Sequence, residues 1–170
     1  MPIHRRTLLG AALCAPAFAR AQSWPGRPIT WIVPFLAGGS ADLLARLVAE
    51  RMAPRLGPGA RIVVENRGGA GGTIGAEAAR RALPDGHTLL LATPSTHATI
   101  PATQPATVPY DPIADFAFVA LLGQAPLALA VPNASPHRDV AGLVAAIRAR
   151  PGGASWGTSG AAGIGHLTGE

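Results

Sequence analysis

Lysine is absent from the chain: all 14 basic residues are arginine, set against 9 acidic ones. The arginines are dispersed and aromatic residues are only 5%, so nothing forms the basic stripe with interleaved aromatics of a nucleic-acid binder. Nucleic acid is therefore excluded as a partner. Cysteine occurs once, at Cys14, which excludes an internal disulfide framework. No pair of histidines has the i,i+4 or clustered spacing of a metal site, so neither a metal nor a cofactor is expected. A long uninterrupted apolar run is also missing. The stretch Phe116 to Val131 is broken by Gly123, Gln124 and Pro126, and reads as two buried strands joined by a short break instead of a membrane helix.

What is present begins with "MPIHRRTLLGAALCAPAFARA". A basic start, a short apolar centre from Thr7 to Ala19 and an Ala-x-Ala ending at Ala21 make a secretory signal. The centre is well short of the ~20 residues that a spanning helix needs. Cleavage is expected after Ala21. Arg5 and Arg6 leave a twin-arginine route open beside the ordinary one, and the bulky Leu13 before Cys14 fits lipoprotein processing poorly. Removal of this segment leaves 149 residues without cysteine, and loss of Arg5, Arg6 and Arg20 brings the net charge from +5 to +2. Such a length can bury a core of its own.

From Ile29 onward, short β-rich runs, glycine-rich links and helix-period segments alternate, which is the pattern of βαβ units and a parallel sheet. Strands are expected at 29–35, 61–66 and 87–92, and helices at 41–56, 73–83 and 138–150. Pro54 should end or bend the first helix, with Arg46 and Glu50 as a solvent-side pair. Residues 101–112 read as a proline-rich surface excursion. A further strand is expected near 155–157, followed by a glycine-rich turn into a helix that opens near Gly165. The chain reads as cut short within a second α/β unit.

Three strand-to-helix junctions share one composition: "LAGGSAD", "TPSTHA" and "GTSGAAGIGH". Each would sit at a strand's carboxyl end, where open parallel sheets bind ligands. Glycine lets the backbone come close, and the unpaired N–H groups of a helix's first turn attract anions. None of the three loops carries lysine or arginine. A phosphate would normally recruit a cation, whereas a carboxylate can be held by amides and hydroxyls, each helix end contributing ~0.3–1 kcal/mol. The expected guest is a small organic carboxylate. Asp42 either complements the helix dipole, orients the loop or meets a ligand donor. His97 and His166 lie within the cradles, while His87 and His137 fall at turns or helix starts.

These residues resemble the Bug, or TctC-like, solute-binding proteins of tripartite tricarboxylate transporters, continuously from "WPGRPITWIVPFLAGGSADLLARLVAERM" through "VVENRGGAGGTIGAEAARRALPDGHTLLLATPSTHATIP" and "VPYDPIADFAFVALL" to "PGGASWGTSGAAGIGHLTGE". The order of the blocks makes the match specific. The resemblance implies an α/β, periplasmic-binding-protein-like (type II) two-domain clamshell, with only the first domain and the start of the second present. Its divisions would be 22–105, a crossover at 106–119, and 120–170. It further implies a periplasmic location, transporter membrane subunits as partners, and cleft residues Phe35, Gly38, Gly39, Ser40, Asp42, Thr93, Ser95, Thr96, His97, Ser159, Gly160 and His166. The chain departs from the family pattern at "PFLAGG", where a more proline-rich loop is expected.

Two enzyme-like motifs compete with a receptor. Gly157-Thr158-Ser159-Gly160-Ala161 approaches a nucleophile elbow, but its last glycine is alanine, and only His166 and Glu170 follow as base and acid. Gly69, Gly71 and Gly75 miss the dinucleotide fingerprint by one residue, and no acidic residue ends the next strand. An inactive fragment of a receptor is the other reading.

Overall fold

The computed structural model describes residues 24–124, 126–157 and 164–169. The run ITWIV, rich in β-branched and aromatic residues, forms the central strand β1 (Ile29–Val33). β2 (Ile62–Asn66) and β3 (Thr88–Leu90) flank it in the order β2-β1-β3, both parallel to β1. Ile29 lies opposite Ile62 and Val33 opposite Asn66, while Thr30 faces Thr88. Pro34, which lacks an N–H, ends β1 two residues before the sequence pattern suggests. Ladder bonds continue past β3 on both sides, from Thr30 N–H to His87 and from Leu91 N–H to Ile32.

The links between strands are helical. α1 (Ser40–Met52) passes into a tighter turn at Ala53–Leu56, where Pro54 falls, and stops at Gly57. α2 (Thr73–Arg80) follows β2 and packs on β1 and β3. Because the chain steps from β1 to β2 in one direction and then back over β1 to β3, right-handed crossovers put the two helices on opposite faces. Alternation along β1 sends Trp31 and Val33 to the α1 side. There they pack with Ala45, Ala49 and Leu91, with Val48, Met52 and Phe35 at the margin. Burial of each large apolar side chain there is worth ~1.5–3 kcal/mol.

After β3 come a wide turn (Ser95–Thr99), the short helix α3 (Ile100–Thr103) and a tight turn at Pro105–Thr107. This passage is mostly exposed, as expected of an excursion, but Tyr110 at its end is buried. Between there and α4 (Val140–Ala149) the described residues form none of the expected strands. Val119, Leu121 and Leu129 are exposed, since no neighbouring strand among the described residues takes up their backbone N–H and C=O groups. The strand expected near 155–157 is absent for the same reason. α4 opens on a local signal: the Asp139 side chain accepts the Gly142 N–H at 2.7 Å, a standard N-cap. α5 (Ile164–Gly169) is short. No helix among the described residues is long and apolar enough to cross a membrane.

Candidate functional site

The strand order fixes where a site can lie. β1 is left first toward β2, and β3 then adds on β1's other side, so the topology reverses between β1 and β3, and open α/β sheets take ligands at the carboxyl ends of strands beside such a point. The loops after these two strands are "PFLAGGSAD" and "TPSTHA".

In the first loop, Gly38 turns the chain at φ +87° and Gly39 caps α1 in extended conformation. Ser40 is the first helical residue, not the cap. Leu43 is the first residue whose N–H finds a helical carbonyl, that of Gly39, so the amides of the turn before it remain open to a ligand. The Phe35 ring packs against the core beneath α1.

Asp42 is buried beneath this loop. Its carboxylate accepts from Gly38 N–H at 2.9 Å, from Arg46 Nε at 3.0 Å and from Asn66 Nδ2 at 2.9 Å. Asn66 also donates to the Phe35 carbonyl at 3.2 Å and accepts from Arg46 Nη2 at 3.0 Å. Chiefly because of the Arg46 hydrogen bond, and then those from Gly38 and Asn66, the Asp42 carboxyl is held down at about 2. Asp42 therefore orients the loop. The expected Arg46–Glu50 pair gives way to Asp42–Arg46, in which the acid precedes the base by one turn, the better orientation on a helix. A cation thus does stand beside the first cradle, but it is engaged. Arg67 is engaged too, with Glu65 at 2.7 Å.

In the second loop, Thr96 is fully buried and its hydroxyl closes the turn, bonding the Thr93 N–H at 3.1 Å, the Thr93 carbonyl at 3.0 Å and His97 Nδ1 at 2.8 Å. Burial lowers the His97 pKa and favours the neutral ring. The ring lies in an aromatic setting, 4.7 Å from Phe116 and 5.6 Å from Phe118 between centroids. Ser95 Oγ accepts the N–H of Ile164, the first residue of α5, at 3.2 Å, so the end of the third junction reaches the second. His166, in α5, stacks near Trp156 at 5.7 Å. Ser159 and Gly160 lie outside the described residues.

The first two loops converge through a segment the sequence reading did not place in the site, "RGGAGG" after β2. A Cβ on Gly72 would stand 2.7 Å from the Thr96 methyl and 3.3 Å from Pro34 Cβ. Only glycine lets Pro34 and Thr96 close on the backbone from either side. Asn66 and Arg46 were also missed, although an amide-bearing residue ending a strand just before a glycine run is a usable signal. No group of acidic, histidine or cysteine side chains among the described residues could hold a metal.

The family model described as the tripartite tricarboxylate transporter family receptor, TctC, matches residues 44–170. The chain belongs to this receptor family. Among proteins similar to it, BugT of Bordetella pertussis is 37% identical over 142 residues, 84% of this chain and 42% of that protein. The R. palustris protein Rpa4515, solved with adipate, is 36% identical with a TM-score of 0.75, over 86% of this chain and 48% of that one. MatC of Rhodopseudomonas palustris, solved with bound malate, is 44% identical with a TM-score of 0.55, over 58% of this chain and 33% of that one. The chain spans about half the length of the curated relatives it matches. Its parallel α/β body is that of part of a TctC periplasmic-binding fold.

Proposed function

We propose that this TctC-family chain is the solute-capturing part of a periplasmic receptor that takes a small organic carboxylate for tripartite tricarboxylate-type uptake, with the transporter's membrane subunits as partners. Residues 22–105 form most of the first domain, 106–119 the crossover and 120–170 the start of the second. The leader is removed after Ala21. One observation supports the reading: the open amides at Gly39, Ser40 and Ala41 and the Thr93–His97 turn follow the carboxyl ends of the neighbouring parallel strands β1 and β3, while Arg46 and Arg67 are tied to Asp42 and Glu65. Such a surface offers hydrogen-bond donors and the positive end of a helix without a free cation, which suits a carboxylate. Gly38, Asp42 and Phe35 shape the first cradle. Ser40, Thr93, Ser95 and His97 form the first-domain wall, with the fully buried Thr96 bracing it from behind, and Ser159, Gly160 and His166 belong to the opposing one. That relatives are solved with adipate and malate supports the choice of a dicarboxylate.

The test is a thermal-shift series with adipate and malate on the mature chain. A carboxylate present at 100 times its dissociation constant adds ~2.7 kcal/mol of stability; a chain whose melting point ignores both acids overturns the reading.

A second reading, an inactive fragment of such a receptor, is favoured by the exposed apolar residues from Val119 to Val131 and along α4. It predicts a broad, non-cooperative melt, whereas a receptor part that folds by itself melts in one transition.

A further inference from the structure

The wide turn that builds the second cradle leaves one carbonyl without its own main-chain partner. The turn opens with the His97 N–H bonded four residues back to Thr93 and then widens, so that the Ile100 N–H reaches five residues back to the Ser95 carbonyl. The donor next in line for the Thr96 carbonyl is residue 101, which is Pro101 and has no N–H. A buried carbonyl in that position must find a donor elsewhere. It finds Tyr110, whose hydroxyl donates to it at 2.8 Å across 14 residues of chain. Tyr110 is the only tyrosine in the sequence and is itself buried.

We propose that Tyr110 is a positioning residue for the carboxylate site, its hydroxyl replacing the main-chain donor that Pro101 withholds from Thr96. The inference rests on the carboxylate-receptor reading and adds a residue that contacts no ligand. Its consequence is mechanical. Tyr110 and Phe116 lie in the crossover segment, with ring centroids 5.6 Å apart, and both rings flank His97. The crossover is thereby clipped to the cradle: a displacement of residues 110–116 acts on the Thr96 carbonyl, and through the Thr96 hydroxyl on the Thr93 amide. The desolvated phenol and its bond to a carbonyl make this contact a costly one to leave unmade.

The experiment compares wild type, Tyr110→Phe, Pro101→Ala and the double variant in the full chain. The readouts are hydrogen exchange at the His97 and Ile100 amides and the dissociation constant for adipate. Tyr110→Phe keeps the ring and removes only the donor. It is expected to speed exchange at both amides and to weaken adipate about 10-fold. Pro101→Ala restores a main-chain N–H within reach of Thr96, so the double variant recovers most of both losses. Unchanged exchange and affinity in Tyr110→Phe, or losses that Pro101→Ala fails to rescue, overturn the proposal. A wild-type chain that ignores adipate contradicts the receptor reading and the proposed role in its site together; the exchange arm then separates the two by showing whether Tyr110 holds the turn.

Discussion

Asn66, the last residue of β2, and Asp42, in the first turn of α1, are joined by a 2.9 Å hydrogen bond from the amide to the carboxylate. Since Asn66 also holds Arg46 and the Phe35 carbonyl, the loop after β1 is fixed to the neighbouring strand before any ligand arrives. Order of this kind reduces the entropy that binding must overcome.

The same contact makes stability depend on acid. Asp42, Glu77 and Asp85 each have a carboxyl lowered to about 2 in the folded chain, Asp42 and Glu77 chiefly by arginine hydrogen bonds and Asp85 chiefly by the His87 N–H. Their unfolded values are ~3.9–4.3. A depressed folded value gives stability that is complete above the unfolded one and lost as pH falls through the folded one. Thermal melts should therefore show a decline from about pH 4.5 down to about 2. Asp42→Asn should lower the melting point at neutral pH and make that decline shallower without abolishing it. An equally steep decline in the variant would contradict the role given to Asp42. His97, lowered by burial, adds a loss that begins as pH drops below ~6.5.

Three glycines should respond differently to alanine. Gly38 has φ +87° with open space around its missing Cβ, so Gly38→Ala costs only the left-handed backbone term, about 1–2 kcal/mol. Gly75 has ordinary helical geometry, but its Cβ would meet the Arg67 carbonyl and Pro34 Cβ at 2.8 Å; the steric cost is about 1–3 kcal/mol. Gly72 combines both, at φ +101° and 2.7 Å from Thr96, and Gly72→Ala should cost about 2–5 kcal/mol. Urea unfolding checks the order, and equal costs at Gly38 and Gly72 would contradict the close approach of Pro34 and Thr96.

The parallel α/β body was legible because its signals are local. The alternation of ITWIV and IVVEN with amphipathic helices specifies β1, β2 and α1, and Pro54 marks the bend that ends α1, whereas the stop that Pro34 imposes on β1 was overlooked. The strand-to-helix junction at Gly38–Asp42 was legible for the same reason. What sequence could not reveal was any relation between distant residues. Asn66 reaching Asp42, Gly72 lying between Pro34 and Thr96, and Tyr110 serving Thr96 all depend on loops that only the folded sheet brings together. The apolar runs from Phe116 to Val131 misled in the opposite sense. Composition marks a segment as fit for a strand, but a strand also needs a neighbour to bond, and none stands beside it among the described residues.

The central claim, that main-chain amides at the start of α1 hold a carboxylate, is tested most directly by titration calorimetry of adipate against Ser40→Pro and Ser40→Ala. Proline is tolerated at a helix's first position, and Gly39 already has the extended geometry that a following proline requires. Ser40→Pro therefore deletes one N–H and keeps the helix, whereas Ser40→Ala deletes the hydroxyl and keeps the N–H. Loss of the amide donor should weaken adipate about 10-fold beyond any loss in the alanine variant. Equal affinities in the two variants, with α1 intact in both, would contradict the claim.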